Sequence, residues 1–475
     1  MAWKWNEKMA KIILINPDYY EDIFAQSKAR AAVSRGVIPL GLASLAAPLL
    51  AAGHKVRIVN LNLADNPEAC LSDAIREFRP DVAGITATTP LIYKAYEIAS
   101  RIKSLDRNIL VLAGGPHPSA VPEEVLAESQ IDGVVRGEGD AVLPLIVEQG
   151  FSPSIANLFY KSGDSCMKAE RQRDFISDLD SLPFPAFELF DLKDYSQPGI
   201  ASRKAPMGYM ETSRGCYARC IFCNKNIHGY KMRMKSPLRV VDEMARMLRL
   251  GFQEIQIIDD IFTADMERAY IICEEILRRG LNFPWYPRGG IRVDRVNQEL
   301  LHMMKRAGCY RIPFGVESGS QRILDLVKKK ITLEQCERAV RLAKAAGLET
   351  ECYFMIGHPT ETEEDIKKSI AFAIKLNPDY AKFAITIPLP GTPLFNEMTA
   401  QGRIKTRNWD KYNFSLPPKE LYDHDTLSWE VIERYYTLSH RKFYFRPHYI
   451  LHMIHKTVLN GTVFAHIKAF LKTRW

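Results

Sequence analysis

The chain has 475 residues, of which 47% are hydrophobic and 25% charged, with a formal net charge of +8. That length exceeds what one hydrophobic core sustains and implies two or three domains, while the ordinary composition excludes a disordered or low-complexity chain. Nine cysteines, three clustered and the others scattered, do not form a disulfide framework and fit a reducing cytoplasm.

The N-terminus, MAWKWNEKMAK, is polar and charged, so no signal peptide is expected. Short apolar runs follow: KIILINP, KVRIVNLN, VAGITATT, ILVLAGG and GVVRGEG. They read as buried parallel strands, with helical patterns between them near residues 40–52, 68–78, 91–105 and 121–129. This alternation predicts an α/β fold that opens with a doubly wound, Rossmann-like sheet over residues 1–145. Ligands of such sheets sit over the carboxyl ends of the strands, here at Thr86–Thr89 and Gly114–His117. Val37 to Gly53 is uncharged over seventeen residues, yet it is short and carries two prolines. It reads as a buried first helix and not as a membrane span. No Gly-x-Gly-x-x-Gly follows the first strand, where Asn16-Pro17-Asp18 stands instead, which argues against a dinucleotide site.

Residues 146–205 form a connector rich in proline and aromatic residues. From Met207 the strand–helix alternation restarts with GYMETSRGC, EIQIIDD, YPRGGIRV, RIPFGVESG, TECYFMIGHP and KFAITIPLPGTP. Six such strands predict a partial (β/α)6 barrel over residues 206–400, followed by a basic, helical C-terminal extension over 401–475. Loops after barrel strands carry active sites, and the loop after the first strand here holds Cys216, Cys220 and Cys223. Three thiols spaced C-x3-C-x2-C can hold three corners of a [4Fe–4S] cube and leave the fourth iron open to a small molecule. The next cysteine, Cys273, is fifty residues on. The alternative is a structural zinc site with His228 as fourth ligand, although zinc sites of that kind more often pair their ligands.

At these cysteines the chain resembles the radical S-adenosylmethionine (SAM) superfamily, whose open iron chelates SAM. The resemblance implies further cofactor contacts. Phe222 would shield the cluster and stack near the adenine. Glu317 and Ser318 of GVESG would meet the ribose, Ile356 and Gly357 would wall the adenine, and Asp259 and Asp260 would face the cavity. Arg292 would pair with the SAM carboxylate or the ribose. The first domain is similar to the cobalamin-binding domain that precedes the barrel in one branch of the superfamily, through RPDVAGITATTP, LAGGPHPSAVPEEVL and DGVVRGEGD. That similarity implies a close-approach turn at Gly114, Gly115 and Pro116, hydrogen bonds from Thr86 and Thr88 to the nucleotide tail, and a last strand end at Gly137 and Glu138. The chain departs from the commoner cobalamin pattern because it contains no Asp-x-His-x-x-Gly in this domain. His117 is then a corrin-edge or structural residue, or less simply the lower axial ligand of cobalt.

The resemblance implies three cofactors, a [4Fe–4S] cluster, SAM and cobalamin, and a reducing partner such as flavodoxin or ferredoxin. A 5′-deoxyadenosyl radical would remove hydrogen from an unactivated carbon of a small-molecule or lipid-like substrate, and methyl transfer would follow. Ring closure, ring contraction or skeletal rearrangement uses the same parts, and a cobalamin-binding sensor or scaffold is a remote alternative. Tyr195, Tyr230, Tyr310 and His358 are candidates for the cavity wall or the core. From Arg441 to Trp475 there are seven Lys or Arg and no acid, interleaved with apolar residues, which accounts for nearly all the net charge. Such a segment favours an anionic membrane surface and a lipid substrate such as a hopanoid, or else it caps the barrel. The location expected is cytoplasmic, with peripheral contact to the inner membrane face if the tail binds lipid. Nucleic acid is disfavoured because no recognition module is present.

Overall fold

The computed structural model describes residues 9–18, 37–163, 165–170, 174–195, 202–413 and 418–459. Its first sheet has the order β2-β1-β3-β4-β5-β6-β7. Strands β1 (Lys11–Asn16), β2 (Lys55–Asn60), β3 (Val82–Thr86), β4 (Leu110–Gly114) and β5 (Gly133–Val135) are parallel, as the five apolar runs imply. Parallel strands are covered on both faces, so they read as continuous apolar runs. In β1, Ile12 to Ile15 are all buried. The uncharged stretch becomes the helix Leu40–Ala51, which buries Leu42, Ala46 and Leu49 against one face of this sheet. The helix Pro67–Phe78 begins where Asn66 accepts the Ala69 N–H at 3.0 Å, and it stops at Arg79 in the left-handed region.

The sheet does not end near residue 145. A helix, Val142–Gln149, crosses that point, and the hairpin β6 (Leu158–Ser162) and β7 (Ser165–Lys168) adds two antiparallel strands beside β5. The early part of the connector therefore belongs to the first domain. Its three apolar β6 residues were too short a run to stand out.

The second unit is the expected partial barrel. Strands β8 (Met207–Met210), β11 (Glu254–Ile257) and β12 (Trp285–Pro287) form one parallel sheet, and β13 (Arg311–Glu317), β14 (Glu349–Ile356) and β15 (Tyr380–Ile385) another. Single parallel bridges, Trp285–Cys309 and Ile291–Phe314, join β12 to β13, so the six strands follow one another around the wall. The outer helices start at well-formed caps. Thr332 and Thr362 each make a reciprocal capping box, with Gln335 and Asp365 respectively.

The extension after residue 400 is helical only in its later part. Residues 404–422 instead contribute Trp409, Tyr412, Leu421 and Tyr422 to a core shared by the first domain and the barrel. The helix Trp429–Tyr444 then packs on β15, where the Tyr444 hydroxyl donates to Ala381 O at 2.7 Å. Arg446 donates to Phe443 O and to Asn377 Oδ1, and the Tyr449 hydroxyl donates to Asp379 O at 2.6 Å. The start of the basic tail is thus part of the barrel wall. Residues 460–475, with three of the seven tail cations, lie outside the described residues. Among the described residues no helix is long and apolar enough to cross a membrane.

Candidate active site

The cysteine loop is fixed at both ends. Asp259, at the end of β11, is buried and accepts from Thr212 N at 2.6 Å, from Ser213 Oγ at 2.7 Å and from the Thr212 hydroxyl. It does not face the cavity, contrary to the expectation, but secures the entry to the loop. A two-residue ladder between β9 (Ser213–Arg214) and β10 (Arg233–Met234) closes the loop's base. Gly215 sits there at φ +88°, where a Cβ would lie 2.3 Å from Lys231 O, so only glycine permits the turn.

Within the loop Cys216 is buried, while Cys220 and Cys223 are partly exposed. Burial pushes the Cys220 and Cys223 thiols up, opposed by a cation beside each: Lys329 near Cys220, and Lys225 hydrogen-bonded to Cys223. Lys225 also lies 3.8 Å from Asp260, whose carboxylate is partly exposed. Three neighbouring thiols flanked by two lysines fit an anionic group such as an iron–sulfur cluster.

Glu317 ends β13 in the left-handed region at φ +68° and pairs with the buried Lys329 at 2.6 Å. Both atoms pass over Gly315, where a Cβ would meet Glu317 Oε1 and Lys329 Nζ at 2.7 Å each. Lys329 is aimed by a strained turn in which Lys328 and Lys330 both have positive φ. Arg292 holds that turn by donating to Lys329 O and Lys330 O at 3.1 and 3.0 Å, and it pairs with Asp294. Arg292 is therefore a positioning residue in this geometry, and Lys329 is the nearer cation. Ser318 is buried against Ser369, and Ile356 is fully buried. Gly357, at φ +81°, and His358 both donate backbone N–H groups to Glu361 Oε2. Burial pushes the Glu361 carboxyl up to about 8. The Phe222 ring packs 5.7 Å from the His358 ring.

In the first domain, the carboxyl ends of β3, β4 and β5 surround a crevice that includes Leu14, Gly84, Thr86, Leu112, Gly114 and Gly137. Gly84, Gly114, Gly115, Gly137 and Gly139 expose backbone there between leucine side chains, so a ligand can approach the main chain closely. Gly115 has φ +96°, and a Cβ there would lie 2.8 Å from Thr86 Oγ1 and 3.0 Å from Ala87 O. Thr88 is exposed, and Pro116 starts the short helix Pro116–Ala120. His117 points the other way. It is fully buried, 3.3 Å from Thr89 Oγ1 and edge-on to Trp409 at 4.9 Å. Burial lowers its pKa to about 3, and the ring is a structural residue of the shared core.

Glu138 is also not turned to the crevice. Its buried carboxylate accepts from Arg233 at 2.6 and 2.8 Å and from Ile176 N at 2.9 Å, with His228 Nδ1 at 3.1 Å. Two residues on, Asp140 makes a bidentate pair with Arg214 at 2.9 and 3.0 Å. Arg214, His228 and Arg233 all flank the cysteine loop, so the Gly137–Asp140 turn latches the first domain to it. Burial raises the Glu138 carboxyl, but the hydrogen bonds from His228 and Arg233 and the two arginine charges outweigh it and pull the carboxyl down to about 2. Of the aromatic candidates, Tyr195 and Tyr310 are buried, with their hydroxyls bound to Asn60 and Glu254, and Tyr230 stacks under Arg219.

A Rossmann-like sheet with a glycine- and leucine-lined crevice, latched onto a partial barrel whose first loop carries three thiols, defines an enzyme with two cofactor-bearing domains. Comparison with known proteins gives the same answer. The B12 binding domain family matches residues 28–147, and the radical SAM superfamily matches residues 210–373. An uncharacterized methyltransferase of Pyrococcus horikoshii is 35% identical over 93% of this chain and 94% of its own. The anaerobic magnesium-protoporphyrin IX monomethyl ester cyclase of Rubrivivax gelatinosus is 28% identical over 98% of this chain and 82% of its own. The solved radical SAM methyltransferase TsrM of Kitasatospora setae, with cobalamin and a [4Fe–4S] cluster bound, shares the fold. Its TM-score is 0.68 at 20% identity, covering 83% of this chain and 75% of that one. The chain belongs to the cobalamin-binding branch of the radical SAM superfamily, a methyltransferase-like group of enzymes whose cofactors are a [4Fe–4S] cluster, SAM and cobalamin.

Proposed function

We propose that this enzyme methylates an unactivated carbon of a small-molecule substrate. The three cofactors together supply a carbon-centred radical and a methyl group, chemistry that polar side chains cannot provide. Cys216, Cys220 and Cys223 would hold the cluster. Lys329, Glu317 and the Ile356–Gly357 strand end would hold SAM, with Phe222 between them and the cluster. Gly114, Gly115 and Thr86 would hold the cobalamin. The observation that carries the reading is the latch from Glu138 and Asp140 to Arg233 and Arg214, which brings the crest of one domain against the cysteine loop of the other. The protein's own work is to orient the substrate carbon and to keep water and oxygen away from the reacting atoms.

Anaerobic reconstitution with iron, sulfide and cobalamin, followed by reductant and methyl-labelled SAM, tests the reading. Both 5′-deoxyadenosine and S-adenosylhomocysteine are expected, with label on the cobalamin. 5′-Deoxyadenosine without S-adenosylhomocysteine would favour the second reading, ring closure or rearrangement, which the full-length likeness to a cyclase supports. A flavodoxin or ferredoxin would serve as electron donor. Contact with an anionic membrane surface is a finer reading, supported only by the exposed Ile450, Leu451 and Ile454 on the last helix. Deleting residues 441–475 would not test it cleanly, because the fully buried Phe443 belongs to the barrel wall. Vesicle sedimentation of a Leu451→Glu, Ile454→Glu double variant does.

A further inference from the structure

Barrel interiors are ordinarily filled by branched aliphatic side chains. This one is not. Tyr209, Gln256 and Tyr286 lie at one register level across β8, β11 and β12, and so face the same side of the wall. Across the lumen, Glu351 of β14 pairs in register with Pro313 and Tyr380, and Tyr353 with Gly315 and Lys382. Just past β12, Arg288 reaches into this ring. One of its terminal nitrogens donates to Gln256 Oε1 at 3.1 Å and to the Tyr286 hydroxyl at 3.0 Å. Its guanidinium lies 5.6 Å from the Tyr209 ring and within electrostatic reach of Tyr353.

The carboxylates of the lumen are all committed elsewhere. Glu254 accepts from the Tyr310 hydroxyl, Gln256 Nε2 and the backbone of Arg203 and Lys204. Glu349 pairs with Arg203 and Arg311, and Glu351 with Lys382 and Arg311. Arg288 therefore has no carboxylate partner among the described residues. Its Nε and second terminal nitrogen make no hydrogen bond there, and neither do the hydroxyls of Tyr209 and Tyr353. A half-buried arginine held by one nitrogen, with its other edge free, is a fork for an oxyanion, and charge-assisted bidentate bonds of this kind are the strong ones. The site also lies next to the proposed SAM position, because Gly315, the register partner of Tyr353, carries the Glu317–Lys329 pair above it.

We propose that Arg288, with Tyr209, Tyr286 and Tyr353, is the substrate anchor, and that the substrate is a small molecule bearing a carboxylate, phosphate or phosphonate on a flat or aromatic body. This rests on the reading of the barrel as the substrate chamber. A neutral polycyclic hydrocarbon such as a hopanoid would leave the arginine desolvated and unpaired, so the lumen selects against it.

The test is calorimetric titration of the full chain, without SAM, using phenylphosphonate, benzoate and the neutral benzamide. Either anion should bind at least ten-fold more tightly than benzamide, and which of the two is tighter tells a phosphonate or phosphate substrate from a carboxylate. Arg288→Gln should weaken the preferred anion at least ten-fold and leave benzamide unchanged, with Arg288→Lys between. Tyr353→Phe, which keeps the ring, should cost a few-fold and covers the case in which Arg288→Gln does not fold. Equal binding of anions and benzamide, no loss in Arg288→Gln, or no loss in Tyr353→Phe where Arg288→Gln is unfolded, overturns the proposal. Transfer of label from SAM to cobalamin without substrate is scored separately, so failure of the anchor and failure of the methyltransferase reading are told apart.

Discussion

Replacing Glu138 by Gln keeps the side chain's shape and removes the charge at the centre of the interdomain latch. The carboxyl falls from its ordinary 4.5 to about 2 in the folded chain, chiefly through His228, Arg233 and Arg214, which outweigh the cost of burial. That lowering corresponds to about 3 kcal/mol of folded-state stability. The structure supports a loss of this size because Arg233 and Arg214 are almost fully buried, with side chains 4% and 6% exposed. Arg214 keeps Asp140 and Glu211, but Arg233 keeps two carbonyls and the Phe175 ring and no other carboxylate among the described residues. Breaking a buried pair of this kind costs on the order of 3–5 kcal/mol. Urea unfolding followed by circular dichroism should place Glu138→Gln about 3 kcal/mol below wild type at pH 7.5. The folded pKa is depressed, so the contribution is complete above pH 4.5 and is lost as pH falls toward 2. The gap between variant and wild type should stay flat down to about pH 5 and narrow below it. Glu188→Gln, at a half-exposed pair with Arg246, is the control and should stay within about 1 kcal/mol. A gap under about 1 kcal/mol at pH 7.5, or one that widens in acid, would refute the latch.

Substituting any one of Cys216, Cys220 or Cys223 by Ala should lower bound iron after reconstitution and abolish 5′-deoxyadenosine formation, whereas Cys273→Ala, in the barrel core, should keep its iron. Gly115→Ala should cost roughly 1–3 kcal/mol and weaken cobalamin binding in a visible titration, since it combines φ strain with contacts of 2.8–3.1 Å. Gly53→Ala carries similar strain with open space around it and should leave cobalamin binding intact. Glu361, with its folded pKa raised to about 8, binds a proton more tightly folded than unfolded between pH 4.5 and 8. Stability should therefore fall as pH rises through that window, and Glu361→Gln should flatten the profile.

The five parallel strands of the first sheet are legible as apolar runs bounded by Gly, Pro or a polar turn, and five barrel strands overlap the expected segments. The remaining one, β12, is confined to Trp285–Pro287, and the rest of YPRGGIRV is turn with a single bridge at Ile291. The cysteine spacing points to a cluster with an open iron over a structural zinc site. What the sequence hid depends on long-range pairing. Glu138 lies 95 residues from Arg233, so a Gly-Glu-Gly turn that suggests a ligand loop is instead a docking element. Asp259 likewise ends a strand, yet its partners at Thr212 and Ser213 arrive from 47 and 46 residues away. Lys329 was missed because nothing in its run of three lysines distinguishes it; the positive φ of its two neighbours turns it alone inward. Arg288 was missed because its significance is a matter of subtraction. The lumen carboxylates pair with other groups, which leaves Arg288 without a carboxylate partner among the described residues.

The docking extends beyond the Glu138 and Asp140 latch. Residues 224–227, immediately after Cys223, are wedged between the domains. Asn226 donates to Gly391 O beyond β15, and a Cβ on Gly391 would strike Asn226 Nδ2 at 2.2 Å and Ala120 of the first domain at 3.0 Å. On the other side, a Cβ on Gly137 would reach Ile227 O at 3.2 Å. Both glycines have positive φ; Gly137 meets backbone carbonyls and Gly391 meets the Asn226 side chain, and a Cβ at either would hold the surfaces apart. Ser119 Oγ accepts the Gly137 N–H at 2.9 Å, which ties the loop after β4 to the loop after β5. A displacement at the crest of the first sheet must therefore be felt at the cysteine loop. The shared core built by Trp409, Tyr412 and Tyr422 leaves no room for the domains to separate and absorb it. The loops at the carboxyl ends of the first sheet are in this way held against the cysteine loop of the barrel.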